Sequence, residues 1–240
     1  MSQKVLTELQ NDLFVITLNQ PQKHNCYDNE MATLIGLAFE DAKKSSARAI
    51  LLKANGKHFC AGADLKWMKK ASTLSVEENQ KDMSAISEMF KIILNVNIPI
   101  IGHVQGSVRG GGLGLVAVCD IVCAEENANF SLSESKWGLI PGIITPLVVA
   151  KIGVSHFLEL SLSSRVFDVT EAKNIQLVHK SASELGLTIS SVMANSLEAN
   201  SQIKMLIKKY FFKQEILDEM LKISSSLRQS EDFKKRIKDF

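Results

Sequence analysis

The sequence predicts an α/β fold with a largely parallel sheet, and three observations carry the prediction. "RAILLKAN" (48–55) and "PIIGHVQG" (99–106) are apolar runs too short and too continuous for amphipathic helices, so both read as strands buried on two faces. A segment of helical periodicity separates them, from about Ser75 to Leu94. A third apolar run, "DIVCAE" (120–125), follows a further helical stretch, "LGLVAV" (113–118). Strands alternating with helices need crossovers between parallel strands, and these are right-handed.

Each element has a local signal. Val5 to Glu8 and Leu13 to Leu18 alternate in strand fashion about the polar turn Gln10-Asn11-Asp12, which predicts an opening hairpin. A helix over about Asn29 to Lys44 gathers Met31, Leu34, Ile35 and Phe39 on one face. "SVEE" (75–78) sets a serine three residues ahead of a glutamate, the form of a capping box. From about Ala182 the period turns helical, with lysine-rich faces. This divides the chain into a core over 1–181 and a helical region over 182–240, the latter suited to packing on a neighbouring subunit.

At 240 residues and 45% hydrophobic, the chain supports a sizeable core. A formal net charge of +2 gives no reason to expect a nucleic-acid or membrane partner. Cys26, Cys60, Cys119 and Cys123 form no CxxC pair and read as free thiols in a reducing compartment. The polar amino terminus and the lack of an uninterrupted apolar run near the ~20 residues of a membrane span predict a cytoplasmic protein.

Three consecutive glycines, Gly110 to Gly112, stand between a buried strand and an apolar helix in "GSVRGGGLGLVAVCD" (106–120). A dinucleotide loop would lie near the first strand, and a Walker loop would continue with Lys-Ser/Thr, where Leu113-Gly114 stands instead. Two readings remain. The glycines permit close helix-on-strand packing, or they expose helix N–H groups to an oxygen that gains negative charge. A second small-residue turn, Ala61-Gly62-Ala63-Asp64, follows the strand at 48–55 and favours the latter, because an oxyanion hole takes donors from two loops. Asp64 there is placed to cap the next helix.

"NQPQKHNCYDNEM" (19–31), "GKHFCAGADLKWM" (56–68), "IPIIGHVQGSVRGGGLGLVAVCD" (98–120) and "ANFSLSESKWGLIPG" (128–142) together resemble the crotonase family, the enoyl-CoA hydratases and isomerases. The likeness runs over roughly residues 3 to 180, in order, and is weak in the helical tail. It implies a crotonase spiral of ββα units with a C-terminal helical trimerisation region. It also implies homotrimers or hexamers built as two trimers, and acyl-CoA thioester substrates whose CoA is the only cofactor-like group. By position, the oxyanion N–H groups fall on Ala63 and Gly111. Ala61, Ala63, Asp64, Leu65 and Lys66, with Gly111, correspond to the CoA site, and Lys23, His24 and Asn25 to the first CoA-contacting loop.

Two glutamates handle protons in the hydratases of this family. The second aligns with Glu134, which read alone is an ordinary surface glutamate. The first follows the glycine run, where "GGGLEL" is usual and "GGGLGL" puts Gly114 here. One carboxylate can shuttle a proton between carbons, as in a Δ3-Δ2 enoyl-CoA isomerase, but activates water less readily. Against that, the motifs look most like those of methylglutaconyl-CoA and related branched-chain hydratases, where a small residue at this position is not unusual. The reading is therefore a 2-enoyl-CoA hydratase with branched or glutaconyl-type thioesters among its substrates. The isomerase and a catalytically silent acyl-CoA-binding protein are the alternatives. No metal is expected, since the five histidines lack ligand spacing. Trp67 and Trp137 read as packing residues or pocket walls. Lys204, Lys208, Lys209 and Lys213 read as a solvated helix face, with one lysine there available to a CoA phosphate.

Overall fold

The computed structural model describes residues 3–211 and 214–238. The opening hairpin joins β1 (Val5–Gln10) to β2 (Leu13–Leu18), with α1 (Asn29–Lys44) leading to β3 (Ala49–Ala54). Next come α2 (Leu65–Ala71), α3 (Val76–Leu94), β4 (Ile100–Val104), β5 (Ser107–Arg109), α4 (Gly111–Ala117), β6 (Ile121–Ala124) and β7 (Asn129–Ser131). The chain continues through α5 (Thr145–Ser163), β8 (Phe167–Asp168), α6 (Val169–Asn174) and β9 (Lys180–Ser181). The last described elements are α7 (Leu185–Ala194), α8 (Leu197–Phe211), α9 (Gln214–Leu227) and α10 (Glu231–Lys238).

Six strands form one sheet in the order β1-β2-β3-β4-β6-β9, parallel except for the hairpin. A smaller sheet, β5-β7-β8, had no legible periodicity, since its strands are only two or three residues long. Alternation explains how the large sheet is buried on two faces. Ile16, Leu52 and Ile100 face the main core with Phe39 of α1 and Phe90 of α3, whereas Val15, Leu51 and Ile101 face Leu185, Ile189 and Val192 of α7. The predicted helix at 75–94 begins as expected: Ser75 Oγ accepts from Glu78 N–H, and the Glu78 carboxylate accepts from Ser75 N–H. Such a cap contributes about 1 kcal/mol.

The helical tail does not stand apart from the core. Helix α9 packs along α3, and Phe233 and Ile237 of α10 are buried with Met68 of α2 beside Trp137 and Leu139. The expectation of a solvated lysine face fails for Lys204 and Lys208. Lys204 Nζ donates to Ile98 O (2.9 Å) and Asp120 Oδ2 (2.6 Å), and Lys208 Nζ donates to Val96 O and Asn97 Oδ1, both at 2.7 Å. These ammonium groups close the carbonyls of the turn between α3 and β4, where backbone acceptors lack strand partners. Lys213 lies outside the described residues, as does the side chain of Lys209.

Among the described residues, α5 alone is long and apolar enough by length and composition to cross a membrane. It carries Lys151 and Glu159 and is kinked at Gly153, whose φ is +74°.

Candidate active site

Two loops meet because glycines let backbone touch backbone. Arg109 N–H donates to Cys60 O at 3.0 Å, which ties the turn after β3 to the end of β5. A Cβ on Gly62 (φ +89°) would lie 2.8 Å from Arg109 O, and one on Gly112 would lie 2.6 Å from Cys60 O. Neither approach leaves room for a side chain. Tyr27 fixes the other side of the first loop, donating its N–H to Gly62 O (2.9 Å) and accepting from Asp64 N–H (3.0 Å).

These contacts leave two donors over. Gly111 is the first residue of α4, so its N–H has no acceptor within the helix. Among the described residues, neither the Ala63 nor the Gly111 N–H meets any acceptor. Both residues line one cavity of about 590 Å³.

Glu134 enters the same cavity from a short 3-10 turn, Glu134–Trp137, which Gly138 closes in the left-handed region. Ser135 Oγ donates to Ser161 O at 2.9 Å and anchors that turn to α5. The residue as a whole is partly exposed, but its carboxyl group is buried. Oε2 has no hydrogen-bond partner among the described residues, and Oε1 would lie 3.0 Å from a Cβ on Gly110. Burial pushes the carboxyl up to about 7 and outweighs the backbone N–H hydrogen bonds that act to lower it. A carboxyl at that value exchanges protons near neutral pH.

At Gly114 the space for a second carboxylate is already filled. A Cβ there would overlap Ile144 Cγ2 and lie 2.7 Å from Phe90 Cζ. The wall is apolar at that point, not merely missing an acid.

The expected CoA-loop residues divide. Lys23, His24, Ala61 and Leu65 line the cavity with Ala63 and Gly111. Asp64 accepts from the N–H groups of Lys66 (2.8 Å) and Trp67 (3.2 Å), capping α2 as predicted, and pairs with Lys23 Nζ at 3.1 Å. Burial acts to raise the Asp64 carboxyl, but Lys23 and the two N–H groups outweigh it and hold it below the usual range. Neither Asp64 nor Lys66 lines the cavity. Asn25 is fully buried: its side chain accepts from Gln20 N–H and donates to Asn55 O and His58 O, so it shapes the loop from beneath. Trp67 and Trp137 both belong to the cavity wall.

Two cavity residues gave no signal in the sequence. A Cβ on Gly111 would overlap the hydroxyl of Tyr27, which therefore lies directly against Gly111. Burial, then the neighbouring Cys60 and Glu134, push this phenol well above its ordinary value, so it stays a neutral donor. Arg228 reaches the cavity from the loop after α9.

Two unpaired backbone donors and a buried carboxyl thus share one cavity. The family model for enoyl-CoA hydratase/isomerase matches residues 8–236. The chain belongs to this family. An enoyl-CoA hydratase from Shewanella pealeana is 31% identical, with a TM-score of 0.82 over 96% of this chain and 90% of that one. Another, from Bacillus halodurans, is only 21% identical and shows the fold alone, with a TM-score of 0.92 over 99% and 100%. The human mitochondrial methylglutaconyl-CoA hydratase is 32% identical over 176 residues, 72% of this chain and 55% of that protein. The peroxisomal Delta(3,5)-Delta(2,4)-dienoyl-CoA isomerase of Arabidopsis thaliana is 28% identical over 76% and 70%. The crotonase fold expected from the sequence is therefore the fold of this chain, and its family is one of enzymes that act on CoA thioesters.

Proposed function

We propose that the protein adds water across the double bond of a 2-enoyl-CoA, with the N–H groups of Ala63 and Gly111 holding the thioester oxygen and Glu134 moving the proton. The observation that carries this is the buried Glu134 carboxyl, raised to about 7 and with Oε2 lacking a hydrogen-bond partner among the described residues, in one cavity with two unpaired N–H groups. Charge gathers on the thioester oxygen as the enolate forms, and each such donor is worth about 3 to 4 kcal/mol of barrier. The Glu134 carboxylate takes a proton from water as the water oxygen bonds to the β-carbon. The resulting carboxylic acid then returns a proton to the α-carbon, and Glu134 is regenerated. With Gly114 unable to hold the water, the Tyr27 hydroxyl takes that part. The CoA portion runs past Lys23, His24, Ala61 and Leu65, with Asn25, Asp64 and Lys66 shaping the loops behind.

The filled space at Gly114 favours a second reading, a Δ3-Δ2 isomerase in which Glu134 alone carries a proton between two carbons. Incubation with matched 2-enoyl and 3-enoyl thioesters followed by mass analysis separates the two. A hydratase gives a product heavier by one water from the 2-enoyl thioester, an isomerase gives unchanged mass from the 3-enoyl one, and a silent binder gives neither. The proposal includes a homotrimer or a dimer of trimers, for which the exposed Val154, Leu158 and Leu162 of α5 supply apolar surface. Light scattering on the purified chain tests that mass.

A further inference from the structure

Both halves of the site are tied to one residue outside the cavity wall, Ser164. It closes α5, is 2% exposed, and stands in the left-handed region with φ +50° and ψ +23°. Its carbonyl accepts from Ser131 Oγ at 3.1 Å, and Ser131 O accepts from the N–H of Gly110, the residue ahead of α4, at 2.9 Å. That arm holds the turn that presents the Gly111 N–H. The other arm leaves from the side chain: Ser164 Oγ lies 2.5 Å from the Oγ of Ser135, the residue after Glu134. A serine hydroxyl has one hydrogen to give. Ser135 gives its own to Ser161 O at 2.9 Å, so the short contact takes the hydrogen of Ser164, for which Ser161 O is a poorer acceptor at 3.4 Å.

A side chain at this corner runs against backbone preference. Residues with a Cβ disfavour the left-handed region, which glycine enters freely. Closing α5 needs no side chain, because the Ser164 N–H makes the cap by donating to Leu160 O. What serine adds is the hydroxyl, and the hydroxyl goes to Ser135. We propose that Ser164 is a positioning residue for the proton transfer: through Ser135 its hydroxyl sets the Glu134 turn against the same corner that its carbonyl ties to the oxyanion helix. This rests on the reading of Glu134 as the proton carrier. The two arms close on each other at Gly110, since Glu134 Oε1 would lie 3.0 Å from a Cβ there.

The rival explanation is that Ser164 and Ser135 only stabilise the end of α5. Ser164→Gly separates the two, because it keeps the carbonyl arm and the backbone conformation and removes the hydroxyl alone. Relief of the left-handed backbone offsets the lost hydrogen bond, so on either explanation the variant melts close to the native chain. The rival then predicts native turnover. A positioning role predicts that kcat for hydration of a 2-enoyl-CoA falls at least about tenfold, while binding of a saturated acyl-CoA stays within about twofold.

Carbon NMR of the glutamate carboxyls, with Glu134 assigned by its loss in Glu134→Gln, reads the placement without turnover. A looser turn admits water, so the Glu134 titration, raised by burial to about 7, moves down by at least about half a pH unit in Ser164→Gly. The ionisable groups that share the cavity, Lys23, Tyr27, Arg109 and Arg228 among them, are the same in both chains, so the change reports the surroundings of the carboxyl itself. Should Ser164→Gly fail to fold, Ser135→Ala cuts the same arm and carries both measurements. An unmoved titration overturns the proposal, as does native turnover by Ser164→Gly where Glu134→Gln has lost it. Native turnover by Glu134→Gln is a separate failure: it removes Glu134 from the reaction, and the titration still decides whether Ser164 places the carboxyl.

Discussion

The Tyr27 hydroxyl lies so close against Gly111 that a Cβ at position 111 would overlap it. Glycine is thus required there by a side chain and not by backbone conformation, since φ at Gly111 is not among the positive values. The same contact sets a phenol beside one of the two free N–H groups and within the field of Glu134.

Gly111→Ala should therefore destabilise the chain by about 1 to 3 kcal/mol, the usual scale of overpacking. The loss should be smaller in a Tyr27→Phe background, because the oxygen that is struck is gone. Thermal melts of the four chains in the cycle give the coupling, and strict additivity would deny the contact.

Tyr27→Phe on its own separates the two reactions. If the hydroxyl holds the attacking water, hydration should fall by at least about tenfold, within the range of a lost positioning or proton-relay group. Isomerisation of a 3-enoyl thioester, which needs no water, should change much less. Equal losses in the two assays would leave Tyr27 a packing residue.

Gly114→Glu should not restore a second acid. Ile144 and Phe90 occupy the space, so the new carboxylate is either buried among apolar groups or forces them apart. The expected outcome is a less stable protein with lower turnover. A gain in hydratase rate would mean that the wall opens far more readily than its packing implies.

The raised Glu134 carboxyl gives a pH signature with a definite sign. Its folded value, about 7, exceeds the ordinary 4.5, so the folded state binds this proton more tightly than the unfolded state does. The group thus contributes full stability below about 4.5 and loses it as pH rises through 7, by about 3 kcal/mol in all. Glu134→Gln should accordingly melt higher than the native chain at pH 8, with the difference vanishing near pH 4.5. Hydration, which starts from the carboxylate, should show kcat/KM rising along a limb centred near 7. A native and a variant chain with parallel stability profiles would contradict the burial of this acid.

The first five strands of the large sheet and helices α1 and α3 were legible because each carries a periodic or capping signal. The strand at Ala49–Ala54 reads as buried on both faces because Leu51 and Leu52 point into different layers, and Ser75 with Glu78 marked a helix start. The small-residue turns were legible as backbone-exposing loops, but the residues that meet across the cavity were not. Arg228 lies 146 positions from Asp82, and nothing local in "SSLRQS" sets it apart from a surface arginine. Lys204 and Lys208 were misread for a related reason. Periodicity locates the polar stripe of a helix, but the uncapped carbonyls of another turn decide whether that stripe faces water.

Glu134 as the proton carrier is tested most directly by the rate of water addition to a 2-enoyl-CoA by the Glu134→Gln chain, with binding of a saturated acyl-CoA measured alongside. Turnover should fall by at least about a hundredfold, with thioester binding held within a few-fold. Turnover equal to that of the native chain would remove Glu134 from the chemistry and the mechanism with it.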